Sequence, residues 1–132
     1  MGDKVLLVTG GGRGIGAATA RLAAARGWAV AVNYRANSLA ADEVVRAIRA
    51  AGGRAMALQA DVADEAQVLR MFEHIDAKCG RLAGLVNNAG VVDRAQPVAE
   101  QSVARWRRMF DINVIGSMIC ARGAVRFSAS RA

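Results

Sequence analysis

The 132-residue sequence contains very little of what a metal site or a disulfide framework requires. It has two cysteines and one histidine. Cys79 and Cys120 lie far apart in helical patterns without the spacing of metal ligands, and His74 has no histidine partner. We therefore expect no metal site and two reduced thiols in the core, as in a cytoplasmic protein.

Long apolar runs are also absent. No run approaches the length of a membrane span, so no membrane partner is expected. The short apolar run near the N-terminus leads into a glycine-rich turn, unlike a secretion signal. Because 54% of the residues are hydrophobic and 22% are charged, we expect residues 1–132 to form a single globular domain.

Acidic residues are outnumbered by basic ones, which gives a formal net charge of +7. Nucleic-acid binding is one interpretation of this charge, and arginine-rich helix faces in solvent are the other. The arginines are scattered apart from Arg105, Arg107 and Arg108, and no aromatic stripe interleaves them. We therefore expect no nucleic-acid partner. A missing acidic portion would leave the same imbalance.

What the sequence does contain is a regular alternation of strand and helix patterns. Strands are predicted over 4–9, 28–33, 54–59 and 82–87, and helices over 14–26, after residue 37, after Asp64, over 98–110 and over 113–128. Asn37 or Ser38 can cap the second helix, and Asp64 with Gln67 can cap the third. Such alternation with short links predicts an α/β fold, a doubly wound parallel sheet in the order 3-2-1-4.

Apolar residues at helical spacing mark one face of each of the first three helices. The predicted buried faces are Ile15, Ala18, Leu22 and Ala25; then Ala41, Val44, Val45 and Ile48; then Val68, Phe72, Ile75 and Cys79.

A glycine-rich turn joins the first strand to the first helix. It contains Gly10, Gly12, Arg13, Gly14, Ile15 and Gly16. Glycines permit the tight turn, the approach of backbone to a ligand and close packing of the helix on the sheet. The free N–H groups of the helix N-terminus attract an anion. Strand, glycine turn and helix in this order predict a cradle for a dinucleotide pyrophosphate.

Four motifs occur in a fixed order. They are Thr-Gly-x-x-x-Gly-Ile-Gly from Thr9, Asp61-Val62 after strand three, Asn87-Asn88-Ala89-Gly90 after strand four, and Asn113 at the last helix. In these motifs the sequence resembles the short-chain dehydrogenase/reductase family over essentially its whole length. The resemblance implies a Rossmann-like NAD(P)-binding domain of an oxidoreductase that interconverts a ketone and a secondary alcohol. The sequence is similar to members described as 3-oxoacyl carrier-protein reductases or sugar dehydrogenases, without favouring either.

The end of strand two indicates which cofactor is preferred. An NAD site usually has a carboxylate there, whereas this sequence has Asn33, Tyr34 and Arg35, with no acid before Asp42. A guanidinium can bind a 2′-phosphate bidentately, and Arg13 belongs to the same neighbourhood. We expect NADP(H) to be favoured over NAD(H). The alternative is that both arginines are ordinary surface residues.

The resemblance also implies roles for individual residues. Asp61 would bind the adenine amino group, with the Val62 backbone beside it. Asn88, Ala89 and Gly90 would line the ribose, and Asn87 would brace the sheet. Catalytic Asn113 would hold a proton-relay water, and the loop 91–97 would flank the substrate. The alternatives are that Asp61 is a turn residue and that the asparagines serve turn chemistry.

The Tyr-x-x-x-Lys motif of the family is absent. Tyr34 is the only tyrosine, and no lysine follows Lys78. Ser117, Ser128 and Ser130 fall in or at the end of the last helix, so none matches the catalytic serine. We expect a sheet truncated before strand five and no turnover by the chain alone. The alternative function is a non-catalytic dinucleotide-binding module that works through assembly with another chain.

The expected truncation has a structural consequence. Strand four would become a sheet edge, and the last helix would leave Val114, Met118, Ile119 and Val125 without partners. In the family this helix contributes to a subunit interface, which implies a homo-oligomer for the full-length form. We expect the isolated chain to self-associate.

Overall fold

The computed structural model describes residues 2–129, so Ser130 lies outside the described residues. Its strands are Gly2–Val8 (β1), Ala29–Tyr34 (β2), Arg54–Gln59 (β3) and Gly80–Val86 (β4). Its α-helices are Gly14–Ala25 (α1), Ser38–Ala50 (α2), Glu65–His74 (α3), Val103–Phe110 (α4) and Gly116–Ala129 (α5). A short 3₁₀ helix spans Val98–Glu100.

The four strands form one parallel sheet in the order β3-β2-β1-β4, which confirms the predicted topology. Val5 of β1 lies between Ala29 of β2 and Leu82 of β4. The predicted range of the third strand matches β3, whereas the other strands differ from prediction by one or two residues at their ends. Within residues 2–129, β4 pairs only with β1 and therefore forms an edge.

The core lies on both faces of the sheet. On one face Val5 and Leu7 pack with Phe72, and with the residues that follow α3. On the other face Val8 and Val30 pack with α1 and α2. Burial of both faces explains why the strands are apolar almost throughout, as in other parallel sheets.

Helices α2 and α3 form as predicted. The Asn37 side chain accepts a hydrogen bond from the Ala40 N–H at 3.1 Å, and the Asp64 side chain accepts one from the Gln67 N–H at 3.1 Å. Both predicted apolar faces are buried. The last two residues of the α3 face, Ile75 and Cys79, lie in a π-helical turn, Ile75–Cys79, that extends the helix. The thiols of Cys79 and Cys120 are free and buried, as predicted.

The predicted face of α1 is wrong. Ile15 is 79% exposed and Leu22 is 53% exposed, whereas the buried residues of α1 are Gly16, Ala20 and Ala24. The reason is that the helix approaches the sheet through its smallest residues. A Cβ on Gly16 would overlap the Gly10 carbonyl oxygen, so only glycine permits this approach.

Residues 103–129 form one continuous helix rather than the two predicted helices. It begins at Val103, where the Ser102 hydroxyl accepts a hydrogen bond from the Arg105 N–H at 3.1 Å. A π-helical turn, Asp111–Ile115, joins α4 to α5 with helical backbone on both sides. Ile119 packs against the core, so the expectation that it lacks partners is wrong.

No helix among residues 2–129 combines the length and apolar character needed to cross a membrane. Over the same residues, no three metal-ligating side chains of the His, Cys, Asp or Glu type come together.

Candidate functional site

A cleft of about 370 Å³ opens at the carboxyl ends of the four strands. It brings together residues from the glycine turn, the end of β2, the end of β3 and the segment after β4. Its lining consists of Gly10, Gly12, Arg13, Gly14, Asn33, Tyr34, Arg35, Ala36, Asn37, Ala40, Ala60, Asp61, Val62, Asn88, Ala89, Gly90, Val91 and Ile112. Twelve of the fourteen predicted cofactor residues are among these, and Ile15 and Gly16 are not.

The glycine turn forms one wall of the cleft. Gly10 and Gly14 have φ values of 60° and 53°, which L side chains rarely adopt. A Cβ on Gly10 would lie 3.0 Å from the Ala89 Cα, so the turn and the segment after β4 touch through backbone. The N-terminus of α1 follows directly, and its first N–H groups are free of intrahelical partners, as at any helix start.

Ile15 and Gly16 lie outside the lining for different reasons. Gly16 is buried under the turn, where a Cβ would stand 2.5 Å from the Asn88 side-chain nitrogen. It therefore sets the position of the turn. Ile15 projects from the first turn of α1 into solvent.

The hydroxyl of Thr9 joins β1 to the segment after β4. It accepts hydrogen bonds from the N–H groups of Asn88 and Ala89, both at 3.0 Å. The Asn88 side chain donates in return to the carbonyl oxygens of Thr9 and Gly10, both at 3.0 Å. Thr9 begins the glycine motif but was not among the predicted site residues, and its hydroxyl holds two walls of the cleft together. Its signal was a buried hydroxyl at the end of an apolar strand.

The Asn87 side chain donates to the Ser117 carbonyl oxygen at 3.0 Å, so it braces the segment after β4 against α5. It is Asn88 that holds the neighbouring strand ends together, because its side chain is the one directed at the Thr9 turn.

Asn33 lies beneath the cleft and is 1% exposed. Its Oδ1 accepts from the Gly10 N–H at 3.1 Å, and its Nδ2 donates to the carbonyl oxygens of Ala60 at 3.1 Å and Leu58 at 3.3 Å. The side chain thus ties the glycine turn to β3. Its polar atoms support the floor of the cleft.

Asp61 and Val62 form the wall that follows β3. Asp61 Oδ1 accepts from the Ala63 N–H at 3.0 Å, so the turn geometry considered as an alternative is present. The residue nevertheless lines the cleft and supplies its single acidic side chain. Val62 is buried, and a Cβ on Gly116 would lie 2.8 Å from its Cγ2.

Arg13 and Arg35 are the two cationic residues of the lining, and both are exposed. Within residues 2–129 neither forms a salt bridge. The adjoining end of β2 carries no acid. This part of the cleft is therefore positively charged and suited to an anionic group.

Asn113 lies just outside the lining, in the π-helical turn. Its Oδ1 accepts from the Val91 N–H at 2.7 Å, and its Nδ2 donates to the Val91 carbonyl oxygen at 2.8 Å. Gly90 permits this approach, since a Cβ there would lie 3.2 Å from Asn113 Oδ1. π-Helical turns often occur at functional sites.

The loop after Val91 is held against α4. The Arg105 guanidinium donates to Gln96 Oε1 at 2.9 Å and to the Arg94 carbonyl oxygen at 2.8 Å. Arg108 contacts the Asp93 carboxylate at 2.7 Å. The Arg94 N–H, and then the guanidinium groups of Arg105, Arg108 and Arg94, lower the pKa of the Asp93 carboxyl despite some desolvation.

Ser117 and Ser128 were both expected not to match the catalytic serine of the family. The Ser117 hydroxyl donates to the Asn113 carbonyl oxygen at 3.2 Å and the Ser128 hydroxyl to the Val125 carbonyl oxygen at 3.3 Å. Both hydroxyls are therefore used within the last helix.

These residues fit a dinucleotide. The turn offers backbone N–H groups where a side chain would block them, and the helix N-terminus adds positive potential for phosphate. Carboxylate, amide and guanidinium groups around the cleft can bind the base, the ribose and a further phosphate.

Comparison with known proteins agrees with this geometry. An uncharacterized oxidoreductase of Escherichia coli (strain K12), YgfF, is 49% identical over 92% of this chain and 49% of its own length. The cis-4-hydroxycyclohexanecarboxylate dehydrogenase of Sinomonas cyclohexanicum is 44% identical over 94% of this chain and 49% of its own length. The crystal structure of a 3-ketoacyl-ACP reductase from Sinorhizobium meliloti 1021 matches with a TM-score of 0.90 and 35% identity, over 96% of this chain and 49% of that one.

The chain thus spans about half the length of the curated relatives that it matches. The family described as short chain dehydrogenase matches residues 4–131. With the parallel sheet and the glycine-walled cleft, this match shows that the chain belongs to the short-chain dehydrogenase/reductase family of oxidoreductases, whose members bind a nicotinamide dinucleotide.

Proposed function

We propose that residues 1–132 form one cofactor-binding domain of an NADP(H)-dependent oxidoreductase that interconverts a ketone and a secondary alcohol. The observation that carries the proposal is the pair of cleft arginines, Arg13 and Arg35, beside a β2 end that lacks an acid. A carboxylate there would repel a 2′-phosphate, whereas a guanidinium binds one.

In this proposal, the other residues of the cleft each bind a different part of the cofactor. The N–H groups of the glycine turn hold the pyrophosphate, Asp61 with the Val62 backbone holds the adenine, and Asn88, Ala89 and Gly90 line a ribose. Ile15 and Gly16 take part as members of the turn. Asn33 and Tyr34 form the floor and rim near Arg35. When bound, the nicotinamide exchanges a hydride with the carbonyl or carbinol carbon.

The substrate side is proposed to lie along the loop 91–97. Two relatives carry names that fit ketone and secondary-alcohol chemistry, a 3-ketoacyl-ACP reductase and a cis-4-hydroxycyclohexanecarboxylate dehydrogenase. Asn113 would hold a proton-relay water next to Val91. The chain's residues supply no Tyr-x-x-x-Lys acid–base motif, so we propose that the 132 residues alone bind cofactor without turnover.

The alternative is a non-catalytic dinucleotide-binding module that acts through assembly with another chain. Such a module needs the cleft and does not need a Tyr-x-x-x-Lys motif. The two interpretations share the cleft and differ in turnover when a partner chain completes the sheet. The homo-oligomer of a longer form and a cytoplasmic location remain part of the leading proposal.

A binding titration tests the cofactor assignment. NADPH and NADH are titrated by calorimetry into the wild-type chain, into Arg35→Gln and into Arg81→Gln, a control that removes the same charge from β4. NADPH should bind roughly tenfold or more tightly than NADH, because charged hydrogen bonds are added. Arg35→Gln should remove most of that preference, and Arg81→Gln should retain it. Equal affinities in the wild-type chain would refute NADP(H) preference, and nicotinamide oxidation above a blank would refute the absence of turnover.

A further inference from the structure

Outside the predicted site, the side chains of Gln59 and Gln67 form a hydrogen-bonded relay. This relay joins the end of β2 to the segment after β3, the two walls that face the proposed adenosine end of the cleft. Gln59, the last residue of β3, donates from Nε2 to the Arg35 carbonyl oxygen at 3.0 Å and to Gln67 Oε1 at 3.2 Å. Gln67 Oε1 also accepts from the Asp61 N–H at 2.9 Å. The side-chain amides of Gln59 and Gln67 thus connect the Arg35 backbone to the Asp61 backbone.

The remaining atoms of Gln67 keep this oxygen in place. Its Nε2 donates to Asp64 Oδ2 at 3.1 Å, and its backbone N–H donates to Asp64 Oδ1 at 3.1 Å. The first turn of α3 therefore orients the side chain. In a capping box the side chain three residues after the cap returns to the N–H of the cap residue itself. Here it reaches past Asp64 to Asp61, so the cap is used to hold a cleft residue.

From this geometry we infer that Gln59 and Gln67 are positioning residues that set the preference for a 2′-phosphorylated nucleotide. The inference rests on the proposed cofactor site. Arg35 and Asp61 would bind two parts of one adenosine, which is a rigid group. Their spacing must then match the distance between the 2′-phosphate and the base. The relay fixes that spacing without either glutamine touching the nucleotide.

The residues under the cleft do not substitute for the relay. Asn33 joins the same strands through the Leu58 and Ala60 carbonyl oxygens, and the Ala60 N–H donates to the Tyr34 carbonyl oxygen at 3.0 Å. These bonds end at Tyr34, one residue before Arg35. The Gln59 bond is the one that holds the Arg35 carbonyl, beyond the last strand pair Tyr34 and Gln59.

Two glutamine variants separate the links of the relay. Gln59→Leu removes the bond to Arg35 and leaves the Gln67 bond to Asp61. Gln67→Leu removes the acceptor for Gln59 Nε2 and for the Asp61 N–H, and leaves the bond from Gln59 to the Arg35 carbonyl. Gln101→Leu is the matched control, because Gln101 bonds the Gln96 carbonyl oxygen and the Trp106 indole N–H, away from the cleft.

The probes are 2′,5′-ADP and 5′-AMP, which differ only in the 2′-phosphate. We expect both relay variants to weaken 2′,5′-ADP binding by roughly three- to tenfold, the loss of about one hydrogen bond's contribution to orientation, with 5′-AMP affinity within about twofold. Gln101→Leu should leave the ratio of the two affinities unchanged. A purely structural role would weaken both nucleotides equally.

Hydrogen exchange supplies a readout without nucleotide. The Asp61 N–H should exchange faster in Gln67→Leu and at the wild-type rate in Gln59→Leu. An unchanged affinity ratio in both relay variants would overturn the inference while leaving the cofactor site intact. Failure of the wild-type chain to bind either probe would overturn the proposed function, and the inference with it.

Discussion

The Asn113 side chain pairs with both backbone groups of Val91, at 2.7 Å to the N–H and 2.8 Å to the carbonyl oxygen. One amide therefore holds the start of the loop 91–97 against a π-helical turn. The residue expected to serve the proton relay also fixes the backbone beside the cleft.

Variants of Asn113 should show which of its two bonds matters. Asn113→Asp keeps an acceptor for the Val91 N–H and loses the donor, whereas Asn113→Leu loses both. Each lost bond should lower the free energy of unfolding by about 1 kcal/mol. Urea unfolding and hydrogen exchange of the Val91 amide measure this. Equal protection of that amide in Asn113→Leu and the wild type would contradict the structural role.

Substitution of Gly16 should damage both stability and the cleft. A Cβ would overlap the Gly10 carbonyl oxygen, so Gly16→Ala should destabilise the chain by about 1–3 kcal/mol and abolish nucleotide binding. Gly27→Ala is the control. Its φ is 95° with no atom within 4 Å of an added Cβ, so it should cost about 1–2 kcal/mol of backbone strain and spare binding. Thermal unfolding and NADPH titration distinguish the two, and retained binding by Gly16→Ala would count against the close packing.

The two arginines that hold the loop after Val91 should differ in their contribution to stability. The Arg105 side chain is 13% exposed and donates two hydrogen bonds, so Arg105→Met should lower the free energy of unfolding by about 2 kcal/mol. Arg108 forms an exposed pair with Asp93, and Arg108→Met should cost less than about 1 kcal/mol. Denaturant unfolding of both variants tests the order, and a larger loss for Arg108→Met would reverse it.

Burial raises the pKa of the Cys120 thiol from its ordinary value of 9.0 to about 11. The unfolded chain therefore releases this proton first as the pH rises. Stability from the neutral buried thiol is fully present below pH 9 and is lost between pH 9 and 11. Urea unfolding from pH 8 to 11 should show a steeper decline for the wild type than for Cys120→Ala. Parallel pH profiles would show that the Cys120 thiol contributes nothing to the decline in stability at high pH.

A stripe of exposed apolar residues runs along the continuous last helix, and it should promote self-association. The stripe consists of Val103, Phe110, Val114, Met118 and Val125. The double variant Phe110→Gln with Met118→Gln should shift the chain towards the monomer in sedimentation experiments, because apolar area no longer becomes buried. Leu39→Gln, an exposed position on α2, is the control. A monomeric wild-type chain at high concentration would refute self-association.

The sequence predicted the fold well where large apolar residues recur at helical spacing. The apolar face of α2, Val44 and Val45 with their neighbours, is large and regular, so its burial was predicted. The face of α1 was not, because hydrophobic periodicity favours large residues, whereas Ala20 and Ala24 pack closest to the sheet. These small residues are buried because they let the helix lie close to the sheet. Hydrophobic periodicity does not detect this role of small side chains.

The cleft was predicted in its parts, but the bonds that assemble it were not. Motifs indicated Arg35, Asp61 and Asn88, since each follows a strand. The roles of Thr9 and Gln67 depend on contacts between distant segments: Thr9 bonds residues 79 and 80 positions away. The π-helical turn at Asn113 was also missed, because a one-residue insertion in a helix leaves no distinct pattern.

The walls of the cleft come from the carboxyl ends of four separate strands, and no single strand end can bind a ligand alone. Any ligand that enters it must favour the fully assembled sheet over every partly opened form, so occupancy and cooperativity are thermodynamically linked. Saturating nucleotide would consequently slow hydrogen exchange even of distant amides in β3 and β4. The degree of this protection would report how completely the chain has folded.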